Sequence, residues 1–110
     1  MTGDAVLEDP AGFAGQVEGR DGGSGVSIIK ESTDVVGSGP RLHRHPYRET
    51  FVILRGRARF TIGEQLRDGA AGDVVVVAPR TPHKFAVLGP GVYEAVHIHE
   101  SDRFITEWLE

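Results

Sequence analysis

Along much of this chain, residue character alternates with a period of two. Between His43 and Ile53 the odd positions read His, His, Tyr, Glu, Phe, Ile, and the even positions read Arg, Pro, Arg, Thr, Val. Extended backbone turns odd and even positions to opposite faces. The stretch His43–Leu54 therefore predicts one face of imidazole, carboxylate and aromatic groups and a second, more basic face. Ala58, Phe60 and Ile62 alternate with Arg57, Arg59 and Thr61, which predicts a half-buried strand. Val26–Val36 mixes β-branched and polar residues and predicts another. Val74–Ala78 is an uninterrupted apolar run and predicts a strand buried on both faces. Lys84–Leu88 and Val92–His99 are the last two predicted strands. In the tail, Phe104, Ile105, Trp108 and Leu109 fall at roughly helical spacing, which leaves a short helix or an irregular docking segment open.

Glycine and proline punctuate these segments at Gly37, Gly39 and Pro40, at Gly56, at Gly63, at Gly69, at Pro79 and Pro82, and at Gly89-Pro90-Gly91. Short strands separated by turns about every 8 to 12 residues, with no strong helix, predict an all-β sandwich or barrel. The length of 110 residues holds one domain. Residues 1–25 read as a partly flexible arm with at most one short strand, anchored by Val6, Leu7, Phe13 and Val17. Residues 26–100 read as the barrel, and 101–110 as a C-terminal docking segment.

Charge and composition narrow the function. Sixteen acidic against twelve basic residues leave a formal charge of -4, which argues against a nucleic-acid partner held by phosphate neutralisation. The absence of cysteine excludes disulfides, thiolate nucleophiles and cysteine-based metal sites. No apolar run approaches the roughly 20 residues that span a bilayer, and the N-terminus lacks the basic start and apolar core of a secretory signal. The expectation is a cytoplasmic protein with no membrane or nucleic-acid partner.

The chemistry lies in the histidines. His43 and His45 share a face, about 6 to 7 Å apart at the backbone, a separation from which two imidazoles can converge on one ion. Glu49 has the same parity and a longer reach. His83, on the turn bracketed by Pro79 and Pro82, is the candidate fourth ligand from a different strand. Three neutral imidazoles and one carboxylate suit Fe, Mn, Ni, Co, Cu or Zn as a single divalent ion per chain, and not Ca²⁺ or Mg²⁺. Four protein ligands on an ion that favours six leave two positions for water or substrate. On the last strand His97 and His99 share parity with Tyr93 and Ala95. If that face points inward, both histidines stand in the pocket as catalytic base, proton shuttle or hydrogen-bond donor. If the Val96 and Ile98 face is the inner one, they are solvated. Tyr47, Phe51, Phe60 and Phe85 are candidates for the pocket wall.

These residues resemble the two motifs of the cupin superfamily. The first pattern, G(x)5HxH(x)3,4E(x)6G, is met in full by Gly37, His43, His45, Glu49 and Gly56. The second, G(x)5PxG(x)2H(x)3N, is met by Gly72 and His83, with Ala78, Arg80 and Val87 where the family has Pro, Gly and Asn. Pro79 then preserves the turn one place late, and Arg80 implies a turn that needs no positive φ at that position. The resemblance covers residues 26–100 and implies a cupin-type double-stranded β-helix, or jelly-roll barrel, with His43, His45, Glu49 and His83 as ligands. It implies a homodimer, since small cupins commonly pair through exchanged terminal strands. The function expected is a metal-dependent enzyme acting on a small organic molecule. It would be a dioxygenase, and so an oxidoreductase, or a Lewis-acid cyclase, isomerase or lyase. The alternative is a non-catalytic metal- or metabolite-binding sensor module.

Overall fold

A computed structural model describes residues 13–110 of the chain. Its strands are β1 Gly15–Val17, β2 Ser27–Thr33, β3 His43–Arg44, β4 Glu49–Arg55, β5 Arg57–Ile62, β6 Gln65–Ala70, β7 Val74–Val77, β8 His83–Val87, β9 Tyr93–His99 and β10 Glu107–Trp108. One 3-10 turn, Gly19–Asp21, is the only helical segment among the described residues. The strands form two antiparallel five-stranded sheets, in the orders β1-β2-β9-β4-β7 and β10-β3-β8-β5-β6. Sequence neighbours such as β3 and β4, or β7 and β8, lie in different sheets, so the chain winds between them as a jelly roll. No helix among the described residues is long and apolar enough to cross a membrane.

The two inner faces follow from the alternation. On β4, Glu49, Phe51 and Ile53 are buried, whereas Thr50 and Val52 are partly exposed. On β5, Ala58 and Phe60 are buried between exposed Arg57 and Arg59. Phe51, Ile53, Phe60, Val75, Val87 and Tyr93 form the centre of the core, each at most 1% exposed. Burying one such aromatic stabilises the fold by about 1.5–3 kcal/mol. The Phe51 and Phe60 rings meet edge to face with centroids 5.0 Å apart, a favoured arrangement.

Register then gathers the polar residues at one end. His43 pairs with His83 across β3 and β8, and Glu49 pairs with His99 across β4 and β9. Pro46 has no N–H to donate, and the chain leaves β3 before it to cross into the other sheet. Even so, His43, His45, Tyr47, Glu49, Phe51 and Ile53 are all buried. Gly56 closes the first motif at φ 77°, and a Cβ there would overlap the Val92 carbonyl oxygen. Glycine suits both demands.

Several expectations are corrected. Val74 and Val76 are each 49% exposed, so the apolar run is buried on one face only; β7 is an edge strand, and no second layer among the described residues covers its outer face. Arg80 adopts φ 65°, the only positive φ at a non-glycine among the described residues, so the turn requires the conformation that the family's glycine supplies. The strand expected over Val26–Val36 ends at Thr33, and the one expected over His43–Leu54 is two strands. The tail forms no helix; it crosses the site and pairs as β10 with β3, Trp108 opposite His43. In the arm, β1 pairs with β2, Val17 is exposed, and Val6 and Leu7 lie outside the described residues.

Candidate metal centre

His43, His45, Glu49 and His83 are all buried, and each offers a ligand atom within 4.8 Å of the others. Three strand ends bring them together: His43 and His45 at and just beyond β3, Glu49 at the start of β4, His83 at the start of β8. The backbone orients every imidazole. His43 Nδ1 donates to the Arg41 carbonyl at 2.7 Å, His45 Nδ1 to the Ile105 carbonyl at 2.8 Å, and His83 Nδ1 to the Thr81 carbonyl at 2.8 Å. A carbonyl can only accept, so these partners assign the proton to Nδ1 and leave the Nε2 lone pairs for the interior.

Those lone pairs meet a carboxylate. Glu49 Oε1 lies 3.1 Å from both His45 Nε2 and His83 Nε2. Burial disfavours the Glu49 charge, and Nε2 lone pairs of His45 and His83 turned toward the carboxylate give it no hydrogen bond. Burial likewise lowers the pKa of His43 and favours its neutral, ligating form. The buried Nε2 atoms of His45 and His99 find no aligned hydrogen-bond partner. Acceptors facing acceptors in a buried site are costly without a cation between them. Three imidazoles and one carboxylate are a donor set for a first-row divalent ion, so the residues present fit such a group.

His97 and His99 both face inward, each 2% exposed. The register explains it: they pair with Phe51 and Glu49, whose inner face is set by the core. Their surroundings differ. The Tyr47 hydroxyl accepts from the Ile105 N–H at 3.3 Å and lies 2.7 Å from His99 Nδ1. His99 Nε2 lies 3.0 Å from Glu49 Oε2, beside the Nε2 atoms of the ligand candidates. Burial pushes the Tyr47 pKa up to about 12, which keeps it protonated. His97 lies one layer deeper, its ring 4.5 Å from that of Phe51, with Nε2 3.2 Å from the Tyr93 hydroxyl. Burial lowers its pKa to about 4, so it is neutral at physiological pH.

A cavity of about 470 Å³ opens beside the cluster. Phe51, Phe85, His97 and His99 line it, as do the candidate ligands His43, His45 and Glu49. Tyr47 stands behind His99, and Phe60 packs in the core below; neither lines the cavity.

The sequence pattern marked 101–110 as a docking segment but not the contacts this C-terminal strap makes with the site. Besides the Ile105 carbonyl, Thr106 Oγ1 lies 3.3 Å from His45 Nδ1. The Phe104 ring meets that of His99 at 4.9 Å and the Trp108 ring meets that of His43 at 5.1 Å. Arg44 and Glu107 pin the strap with a 2.8 Å ion pair. Its only signal in the sequence was the apolar spacing, which carries no direction. The carbonyls of Arg41, Thr81 and Ile105 had no signal, because backbone acceptors are identical at every residue.

Comparison with known proteins agrees with this geometry. Residues 32–99 match the Cupin domain family. Over 62 residues the chain is 34% identical to an uncharacterized protein of Methanocaldococcus jannaschii, covering 56% of this chain and 50% of that one. The chain thus spans about half the length of that curated relative. Among solved structures, a mutant of Bacillus subtilis oxalate decarboxylase superposes with a TM-score of 0.75 at 20% identity, covering 86% of this chain and 27% of that one. An uncharacterized conserved protein with a double-stranded β-helix domain from Klebsiella pneumoniae superposes with a TM-score of 0.75 at 18% identity, covering 94% and 84%. At these identities the likeness is one of fold.

Proposed function

The chain belongs to the cupin family, and on that premise we propose that it is a small metal-dependent enzyme acting on an organic molecule at a mononuclear transition-metal centre. His43, His45, Glu49 and His83 are the ligands, and His99 is the proton-transfer residue. The observation that carries the reading is the donor set: three imidazoles anchored at Nδ1 by backbone carbonyls offer Nε2 lone pairs to the interior beside a buried carboxylate. A bound divalent ion would supply Lewis acidity to a substrate oxygen. Fe, Mn, Ni, Co, Cu and Zn all suit the donor set, and the oxalate decarboxylase of the same fold has Mn(II) centres.

Two reaction types fit such a centre, oxygen activation and Lewis-acid isomerisation, cyclisation or lyase chemistry. The Tyr47–His99 pair favours the second. The Tyr47 hydroxyl holds His99 by Nδ1 and turns Nε2 toward Glu49 and the cavity, so a proton can be given or taken there. The neutral His97 and the rings of Phe51 and Phe85 form the inner wall. None of the described residues lining the cavity is Lys or Arg. A dianion such as oxalate would have no protein cation to neutralise it, so the substrate class is a neutral or singly charged oxygen-bearing molecule.

The test is reconstitution with each ion, followed by a panel of hydroxy-ketones, diketones and phenols, with product formation and oxygen uptake recorded together. Turnover without oxygen uptake, lost in His99→Gln at unchanged metal content, is the expected result. Turnover that consumes oxygen would move the assignment to a dioxygenase. Ligand binding with no turnover under any ion would make the chain a binding module.

A further inference from the structure

The cavity has a second polar end. Along β2 the inward positions are Ser27, Ile29, Glu31 and Thr33, in register with His99, His97, Ala95 and Tyr93 of β9. His99 is opposite Glu49 on β4, so Ser27 lies level with the metal centre and Glu31 lies four residues further along. At about 3.3 Å per residue that is about 13 Å of strand. The wall between is mostly apolar, made by Ile29, Phe51 and Phe85 with the neutral imidazole of His97. Glu31 lines the cavity and is half-buried. It makes no hydrogen bond or ion pair with any described residue, and burial is the sole influence on its carboxyl, raising its pKa above the ordinary carboxylate value. It lies just outside the residues that match the family, 32–99.

A half-buried carboxylate facing a cavity without a partner is costly unless something that enters the cavity supplies one. The charges around the cavity indicate what enters. A divalent ion with the Glu49 carboxylate carries one net positive charge, and Glu31 carries one negative charge at the far end. Among the described lining residues no Lys or Arg adds to either.

We propose that Glu31 is a specificity residue that binds a cationic nitrogen on the ligand while the ligand's anionic oxygen end sits at the metal centre. The ligand class is an elongated zwitterion: a singly charged, oxygen-bearing head, an apolar middle of a few carbons and an ammonium tail. This rests on the metal-centre reading above and adds the substrate class to it.

The probes are ω-amino alkyl hydroxamates and their methyl-terminated counterparts, with two to six methylenes between head and tail. They are titrated calorimetrically into the full chain loaded with Zn(II) or Ni(II). At its best length the ammonium series is expected to bind about tenfold tighter than its methyl counterpart, the scale of one charge-assisted hydrogen bond in a partly solvated site. Glu31→Gln, nearly the same shape, should abolish the preference and leave metal content and methyl-series affinity unchanged. Glu31→Asp should move the optimum to a longer chain. Equal affinity of the two series for metal-loaded protein, a preference that survives Glu31→Gln, or no binding of any ammonium probe to loaded protein overturns this inference alone. Failure to take up metal overturns the metal-centre reading and this inference with it.

Discussion

His97 is buried and neutral, and this gives the fold a defined sensitivity to acid. Its ordinary pKa is 6.5, and burial against Phe51 and Phe85 lowers it to about 4 in the folded chain. The charged groups that face it are Glu49, which favours its protonation, and His99 and His83, which oppose it. Above pH 6.5 the imidazole is neutral in both folded and unfolded chains and contributes no pH dependence. Below it the unfolded chain binds a proton that the folded chain resists, so stability falls with pH until the folded pKa is reached. At about 1.4 kcal/mol per pH unit, the loss is about 2 kcal/mol by pH 5 and about 3 kcal/mol by pH 4. The assay is urea unfolding of metal-free protein in chelator at pH 7.5, 6, 5 and 4, for the parent chain and for His97→Gln. Every other titrating group is common to both, so the difference between the two losses isolates His97. The parent is expected to lose about 3 kcal/mol more than the variant over that range. Parallel losses would show that His97 is hydrated or protonated in the folded chain, and would refute its placement in the core.

Other outcomes follow from the strap and the second motif. Ending the chain after Arg103 removes the Ile105 carbonyl that fixes His45, and metal affinity by competition with a fluorescent chelator should fall about 10- to 100-fold while the far-UV spectrum stays β. Val87 is 1% exposed in the core, opposite Ala58. Val87→Asn, which restores the family's residue, should cost about 1–3 kcal/mol in urea unfolding and leave metal stoichiometry unchanged. Arg80→Gly should raise stability by about 1 kcal/mol, because φ 65° costs a side chain that glycine does not bear; a loss there would mean that the Arg80 side chain stabilises more than the backbone strain costs.

What the sequence made legible was whatever depended on period and spacing. The odd positions from His43 to Ile53 are buried even though Pro46 divides the stretch, because the alternation survives the crossing between sheets. His83 was reachable because a proline-bracketed turn after an apolar run places a side chain at a strand start. The orientation of β9 was not legible. Its two faces, Tyr-Ala-His-His and Glu-Val-Ile, are similarly mixed, and only pairing with Glu49 and Phe51 decides between them. The exposure of Val74 and Val76 depends on β7 being an edge strand, a property of the whole sheet. The form of the strap was left open between a helix and an irregular docking segment because Phe104, Ile105, Trp108 and Leu109 have roughly helical spacing. In the structure one side of Phe104 and of Trp108 meets His99 and His43, and Ile105, Trp108 and Leu109 all remain exposed. Glu31 was invisible because an acidic residue on a mixed strand is most often solvated.

The central claim is that four side chains from three strand ends hold one ion. Its most direct test is metal analysis of protein purified without chelator or reconstituted under argon, combined with X-ray absorption at the edge of the metal found. About one first-row ion per chain is expected, with three imidazole nitrogens and one carboxylate oxygen in its sphere, and with the ion lost in His83→Ala. A chain that binds no such ion after reconstitution, or that holds one with the same sphere when His83 is removed, would contradict the account.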